Sequence, residues 1–357
     1  MYLRRILGLS GLFIAINSLA AGSCPQNSEK LLTRAPLKPV AIPITELRSD
    51  YRARTADGSY RIQNAEKLEF DGTDGRDVYN PTALFKTRFR GKEVEVLLGR
   101  TEEPLKETGT ESIFYAHSGK TWEAVPGAPK FQMQDPFFTH IGKELVVGGV
   151  ETFDKGDGTL GYRTVFFRDH GQGIEHLVRF AEGPNGMKDI RMLSLGDGQI
   201  LVLTRPQGDV GGRGKIGITT VKSLDELNAD VLTAAPLLEG QFAEGEWGGA
   251  NAAYLLPGGN VGVLGHIARY DEKGNRNYFP AAFVYNPKTK TATPMKIILE
   301  RAALPGGLGG KTKRNKDDLR DVLFSGGLIR HADGTATLYV GAGDAEVWRV
   351  TIPDPFL

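Results

Sequence analysis

Cysteine is almost absent from this 357-residue chain, which holds only Cys24. No internal disulfide can brace it, and no Cys/His cluster with metal-ligand spacing occurs. Charge imbalance is absent too, since 44 Lys and Arg face 43 Asp and Glu. Such a balance leaves no summed field to draw nucleic acid or an anionic membrane face, so neither is expected as a partner. A Gly-x-Ser-x-Gly elbow is missing, as is a true phosphate loop. GLGGKTK at Gly307 to Lys313 lacks the flanking strand and helix, and reads as an exposed loop running into RNKDD. DKGDGTLG at Asp154 lacks EF-hand spacing and reads as a hairpin turn. No metal and no cofactor are expected.

Long apolar runs are also missing, apart from the uncharged stretch Ile6 to Ala21 that follows Met-Tyr-Leu-Arg-Arg and precedes Ala-Gly-Ser-Cys. That stretch is short for a membrane span and has the layout of a bacterial export signal. Residues 1–23 are read as that signal, which places the protein outside the cytoplasm, in the periplasm or on the cell surface. Cys24 follows small residues and is a candidate lipid-attachment site, the only membrane link expected; ordinary cleavage after Ala21 or Ser23 is the alternative. Residues 24–48 are Pro-rich and read as a tether or a surface-strapped segment. Residues 49–357 read as a single domain.

What the chain does have is turns, with 46 glycines, and short apolar runs between them. Val94 to Leu98, Leu145 to Val150, Ile200 to Leu203, Val261 to Leu264 and Thr337 to Val340 each read as a strand. One short helix is expected near Ser223 to Val231. Before each apolar run stands a segment with a polar residue beside small or turn-forming ones: VYNPTALF at Asn80, QDPFFTHI at Asp135, MKDIRMLS at Asp189, GGANAAYL at Asn251 and FSGGLIRH at Ser325. Taken singly, Asn-Pro and Asp-Pro read as turns. Repeated in register at propeller-blade intervals, they predict an all-β, five-bladed β-propeller whose inner strands aim these groups into a central polar funnel.

At these segments the chain resembles the domain of unknown function 1861 family over nearly all of Asp77 to Phe356. The resemblance rests on DVYNPTALF, QDPFFTHIGKELVVGGVE, KDIRMLSLGDGQILVLTRPQG, EWGGANAAYLLPGGNVGVLGHIAR and DVLFSGGLIRHADGTATLYVGAGDAE. More distantly it is similar to the five-bladed mannoside phosphorylases and mannosidases of glycoside hydrolase family 130. That similarity implies a carbohydrate ligand, Asp135 as the proton donor, and Lys188 and Arg205 as phosphate-binding candidates. Phe137 stands where those enzymes commonly carry an Arg, which argues against phosphate binding.

Glycoside cleavage needs a carboxyl to protonate the leaving oxygen, and either a carboxylate to activate water or a phosphate that attacks directly. Asp135 is the expected general acid, its pKa raised by crowding, and Asp189, Glu246 or Asp344 is the expected water activator. Asn80, Arg100, Glu102, Lys188, Arg191, Arg205, Asn251, His266 and Arg269 are the candidate substrate-binding residues; the cations among them supply charge-assisted hydrogen bonds or pair with the acids. Trp247, Tyr254, Tyr278 and Phe279 offer aromatic faces. The expected function is an exported glycoside hydrolase acting on mannosides or related glycosides, because a phosphorylated product made outside the cell is lost to it. A non-catalytic carbohydrate-binding propeller and a glycoside phosphorylase are the alternatives. Oligomeric state is not legible.

Overall fold

The computed structural model describes residues 40–105 and 109–357. The stretch read as an export signal, Cys24 and the first part of the segment read as a tether lie outside the described residues.

The described chain is mostly β, and its strands pair in antiparallel runs that follow the sequence. The first run contains Lys92–Glu102, flanked by Asp77–Tyr79 and Phe85–Phe89 on one side and Glu111–Ser118 on the other. The second is Gln134–Ile141, Glu144–Asp154, Leu160–Arg168 and Val178–Glu182. The third is Arg191–Ser194, Ile200–Thr204 and Gly217–Val221. The fourth is Trp247–Leu255, Val261–Tyr270 and Arg276–Asn286, and the last is Asp321–Arg330, Thr335–Ala342 and Glu346–Pro353. Two parallel pairs, Asn277 with Asp321 and Tyr278 with Val322, join these last two. Asn64–Leu68 then adds an outer strand to the final run by pairing with Glu346–Pro353.

The apolar runs expected to be strands lie inside strands, each second in its run. Their alternation matches the pleat, so one set of side chains packs between neighbouring sheets. Val96 and Leu98 pack with Val147, and Val146 packs with Val202. The turns follow local chemistry. In Asp197-Gly198 and Asp333-Gly334 the Asp carboxylate accepts the N–H two residues on, at 3.0 and 2.9 Å, while the Gly takes φ of 85° and 84°. Asp154 to Leu160 is the expected hairpin turn.

One expectation is met in two pieces and one changes. The short helical segment near Ser223 is present, as a 3-10 turn Leu224–Glu226 and a helix Ala229–Thr233. A longer helix, Ile44–Ala56, runs across the boundary drawn at residue 48. Its Ile44, Leu47 and Tyr51 are buried in the same cluster as Leu264, Phe279 and Leu338, so this end of the tether is part of the core.

Candidate functional site

Four polar residues of the motifs share an unusual backbone. Asn80, Asp135, Asp189 and Asp344 have φ of 44°, 47°, 59° and 53°. Only short polar side chains such as Asn and Asp enter this left-handed region readily, and each held there turns its side chain out of the strand's regular alternation. Bulges do related work: pairing slips between Gly148 and Val150, opposite Asp135 and Pro136, and Asn251 is the extra residue between the pairs Ala250–Gly265 and Ala252–Leu264. The strands also approach closely. A Cβ on Gly341 would stand 2.0 Å from Asn80 Oδ1, and one on Gly326 1.5 Å from the Pro81 carbonyl.

These devices build a cavity of about 350 Å³. Of the expected site residues it gathers Asn80, Arg100, Asp135, Lys188, Asp189, Arg205, His266 and Asp344. Sequence reasoning missed Arg276, Lys313, Arg314 and Lys316 as further lining groups. Three of these lie in the loop expected to be exposed; instead Lys313 is buried and donates to Glu102 at 2.5 Å. Its placement comes from Arg301, whose buried guanidinium donates to the carbonyls of Lys311 at 2.7 Å and Leu319 at 3.1 Å.

A continuous network runs through one wall. The Asn80 amide donates to Asp135 Oδ1 at 2.8 Å, and Arg100 bridges Asp135 and Glu102, each at 3.1 Å. Glu102 is fully buried behind the lining and also accepts from the Tyr79 hydroxyl. Burial pushes the Asp135 carboxyl up, but Arg100, Lys188 and the Asn80 amide outweigh it and hold Asp135 below the usual carboxylate range. The expected raised pKa at Asp135 is therefore not found. It occurs at Asp344, where burial dominates over Arg100 and the neighbouring Asp135 charge adds to it.

A second cluster of the lining centres on Asp189. Burial opposes its ionisation, yet Arg205 and, after it, Lys188 bring its pKa down to about 2. Arg205 lies 3.3 Å from Asp189 and donates to the Gly248 and Arg213 carbonyls. Only glycine leaves it room: a Cβ on Gly249 would sit 2.6 Å from Arg205 Cδ, and one on Gly214 2.4 Å from Nε. Lys188 makes no hydrogen bond or ion pair among the described residues. His266 is held neutral, with burial taking its pKa down to about 3, and its Nδ1 lies 2.8 Å from Asn251 Oδ1.

The remaining expected residues lie elsewhere. Arg191 is stacked over Phe137 and donates to the Asn251 carbonyl at 2.7 Å. With Asn251 it lines a second, more apolar cavity of about 210 Å³. Ser325 is buried against the Gly265 carbonyl. Glu246 is no cavity acid, because its carboxylate accepts the N–H of Ile44 at 2.7 Å and so secures the start of the long helix. Arg269, whose charge bears on Glu246, is likewise outside the cavity lining. Trp247 donates to the Tyr278 hydroxyl at 3.1 Å, and of the aromatic candidates Tyr278 alone lines the cavity.

A family model, protein of unknown function DUF1861, matches residues 54–357. No curated protein matches the chain. Among solved structures it is similar to MPT-4, a mannose phosphorylase from Leishmania mexicana in complex with phosphate ion. Identity is 32%, covering 87% of this chain and 95% of that one, with a TM-score of 0.75. It is also similar to MPT-1, a GDP-Man-dependent mannosyltransferase of the same organism, at 29% identity, 88% and 96% coverage and a TM-score of 0.76. A β-1,2-mannobiose phosphorylase from Listeria innocua shares the fold at 15% identity, 82% and 97% coverage and a TM-score of 0.54.

Proposed function

The chain belongs to the DUF1861 family, and from that premise we propose that it transfers mannosyl groups between a sugar hydroxyl and inorganic phosphate. The reaction takes place in a central funnel ringed by five propeller blades. One observation carries this reading: Lys188 lines the cavity beside Arg205, Asp135 and Asp189, and among the described residues it makes no hydrogen bond or ion pair. A neutral glycan needs no such cation, whereas a phosphate dianion does.

The chemistry follows from the charge state. Arg100 and Lys188 outweigh the burial of Asp135 and favour its ionised form. A dianion beside Lys188 and Arg205 offsets those cations, so the Asp135 carboxyl takes up a proton as phosphate enters. A phosphate oxygen then attacks the anomeric carbon. The glycosidic C–O bond breaks, its oxygen takes the Asp135 proton, and a mannose 1-phosphate and a free sugar hydroxyl result. Asp344, whose pKa burial raises, and His266, held neutral, offer hydrogen-bond partners to the bound sugar.

Hydrolysis is the second reading, favoured by the ionised Asp135 and Asp189 on one cavity, the second able to activate water. The test is cleavage of β-mannobiose with and without inorganic phosphate, following mannose 1-phosphate. A rate at least about tenfold higher with phosphate, with mannose 1-phosphate as product, is expected. Equal rates with free mannose as the sole product assign hydrolysis, and no turnover in either case assigns a binding protein. The chain is further proposed to be exported and acylated at Cys24, checked by palmitate labelling that Cys24→Ser abolishes.

A further inference from the structure

The second cavity, of about 210 Å³, draws its wall from all five strand runs: Leu84 from the first, Phe138 from the second, Arg191 from the third, Asn251 from the fourth and Leu328 from the last. Its larger surfaces are apolar, supplied by Phe137, Phe138, Leu328 and Ile329, and no Asp or Glu lines it. Two polar side chains in this wall lack what burial normally demands.

Arg191 is 4% exposed, and no carboxylate pairs with it among the described residues. Its Nε and Nη1 donate to the Asn251 and Ile190 carbonyls at 2.7 and 3.0 Å, and its guanidinium lies 4.3 Å from the Phe137 ring centre. These partners are neutral, and Nη2 makes no hydrogen bond among the described residues. Burial takes the Arg191 pKa down to about 10, against the pull of Asp189 and Asp135 from the first cavity. The cation is thus short of a counter-charge. Asn251 is 1% exposed; its Oδ1 lies 2.8 Å from His266 Nδ1, while its Nδ2 is buried with no partner. An amide left in that state costs stability until an acceptor reaches it. The two groups lie together, since the Asn251 carbonyl is the one that takes the Arg191 Nε–H.

We propose that this cavity is a second binding site, which takes a small monocarboxylate with an apolar body. The carboxylate accepts from Asn251 Nδ2 and the Arg191 guanidinium, and the body rests on Phe137, Phe138, Leu328 and Ile329. An inorganic anion would leave that apolar wall bare, and a neutral molecule would leave Arg191 without its counter-charge. Size agrees. An apolar cavity of about 150 Å³ holds benzene, so about 210 Å³ admits one ring with a carboxylate attached. The site stands whether or not the phosphorylase reading does, because the two cavities share no lining residue.

Calorimetric titration of the wild-type protein with benzoate, benzyl alcohol and acetate reads the site without turnover. Benzoate is expected to bind with a Kd below about 1 mM, at least about tenfold tighter than benzyl alcohol, which lacks the charge, and than acetate, which lacks the ring. Two variants locate the bound benzoate. Thr139→Trp, which fills the cavity from its wall, should weaken it at least about tenfold; Lys188→Gln, in the first cavity, should change it less than about twofold. Absence of benzoate binding, or equal binding of either analogue, overturns the inference on the wild-type protein alone. Undiminished binding in a folded Thr139→Trp, or loss in Lys188→Gln, overturns it by placing benzoate elsewhere, and the Lys188→Gln arm decides even where Thr139→Trp fails to fold.

Discussion

Asp135 and Asp344 occupy the same kind of place and behave oppositely. Both line the cavity, both sit on left-handed backbone with φ of 47° and 53°, and both feel Arg100. Asp135 receives direct hydrogen bonds from Asn80 and Arg100, and its carboxyl is driven down. Asp344 receives none among the described residues, and burial drives it up. Strand position alone thus does not set the protonation of a cavity carboxyl. The neighbours that touch it do.

The sharpest way to break this contrast is to remove the cation that bridges the network. Arg100→Gln leaves Glu102 and Asp135 short of their partner, and should cost about 3 kcal/mol of stability at neutral pH by urea unfolding. The pH dependence has a fixed sign. Because the folded pKa of Asp135 lies below its unfolded value, its stabilisation is present above the usual Asp range and is lost as pH falls through the lowered value. In the variant that loss should set in at higher pH; an unchanged acid limb would detach Asp135 from Arg100.

Asp135→Asn tests the other half. Asn tolerates the left-handed backbone and should fold, yet it has no proton to give, so glycoside cleavage should fall at least about a hundredfold. Turnover within a few-fold of wild type would return Asp135 to a turn-forming role.

Asp344→Asn should do the reverse of Arg100→Gln. A carboxyl whose folded pKa is raised costs stability as pH climbs past its unfolded value, so the neutral amide should stabilise the fold at pH 7, on the order of 1 kcal/mol, and not below pH 3. Equal stabilisation at both pH values would show that packing, not charge, is responsible. The smallest effect is expected from Glu246→Gln, which weakens the bond to the Ile44 N–H: up to about 1 kcal/mol of stability, with catalysis unchanged.

Much of the strand framework was legible, because period-two apolar runs bounded by Gly and Asp have few other solutions. The first three motif residues, Asn80, Asp135 and Asp189, reach the cavity as their spacing implied. The fourth and fifth do not. At Asn251 the bulge sets the side chain beside His266, and Ser325 turns to a carbonyl, so the fourth and last runs reach the cavity through other groups, His266, Arg276 and Asp344 among them. Bulge placement depends on the partner strand and leaves no mark in the residue alone. The Lys313 loop carried no periodic signal, since Arg301 places it through contacts distant in sequence. The helix at Ile44 did carry one: Ile44, Leu47 and Tyr51 repeat on one face after Pro43, a pattern masked by the Pro-rich run before it.

The pairing of Asn64–Leu68 with Glu346–Pro353 sets an order of events at the ribosome. The segment emerges early but has no partner until nearly the whole chain has been made, so the final sheet forms last and carries the loop-closure entropy of almost the full length. Meanwhile Asn64–Leu68 is an unpaired strand in a crowded cell. Its sequence, Asn-Ala-Glu-Lys-Leu, is short and charged, which makes it a poor template for pairing with a neighbouring nascent copy. Deleting the last strand should therefore yield not a slightly looser fold but a chain waiting open for a partner.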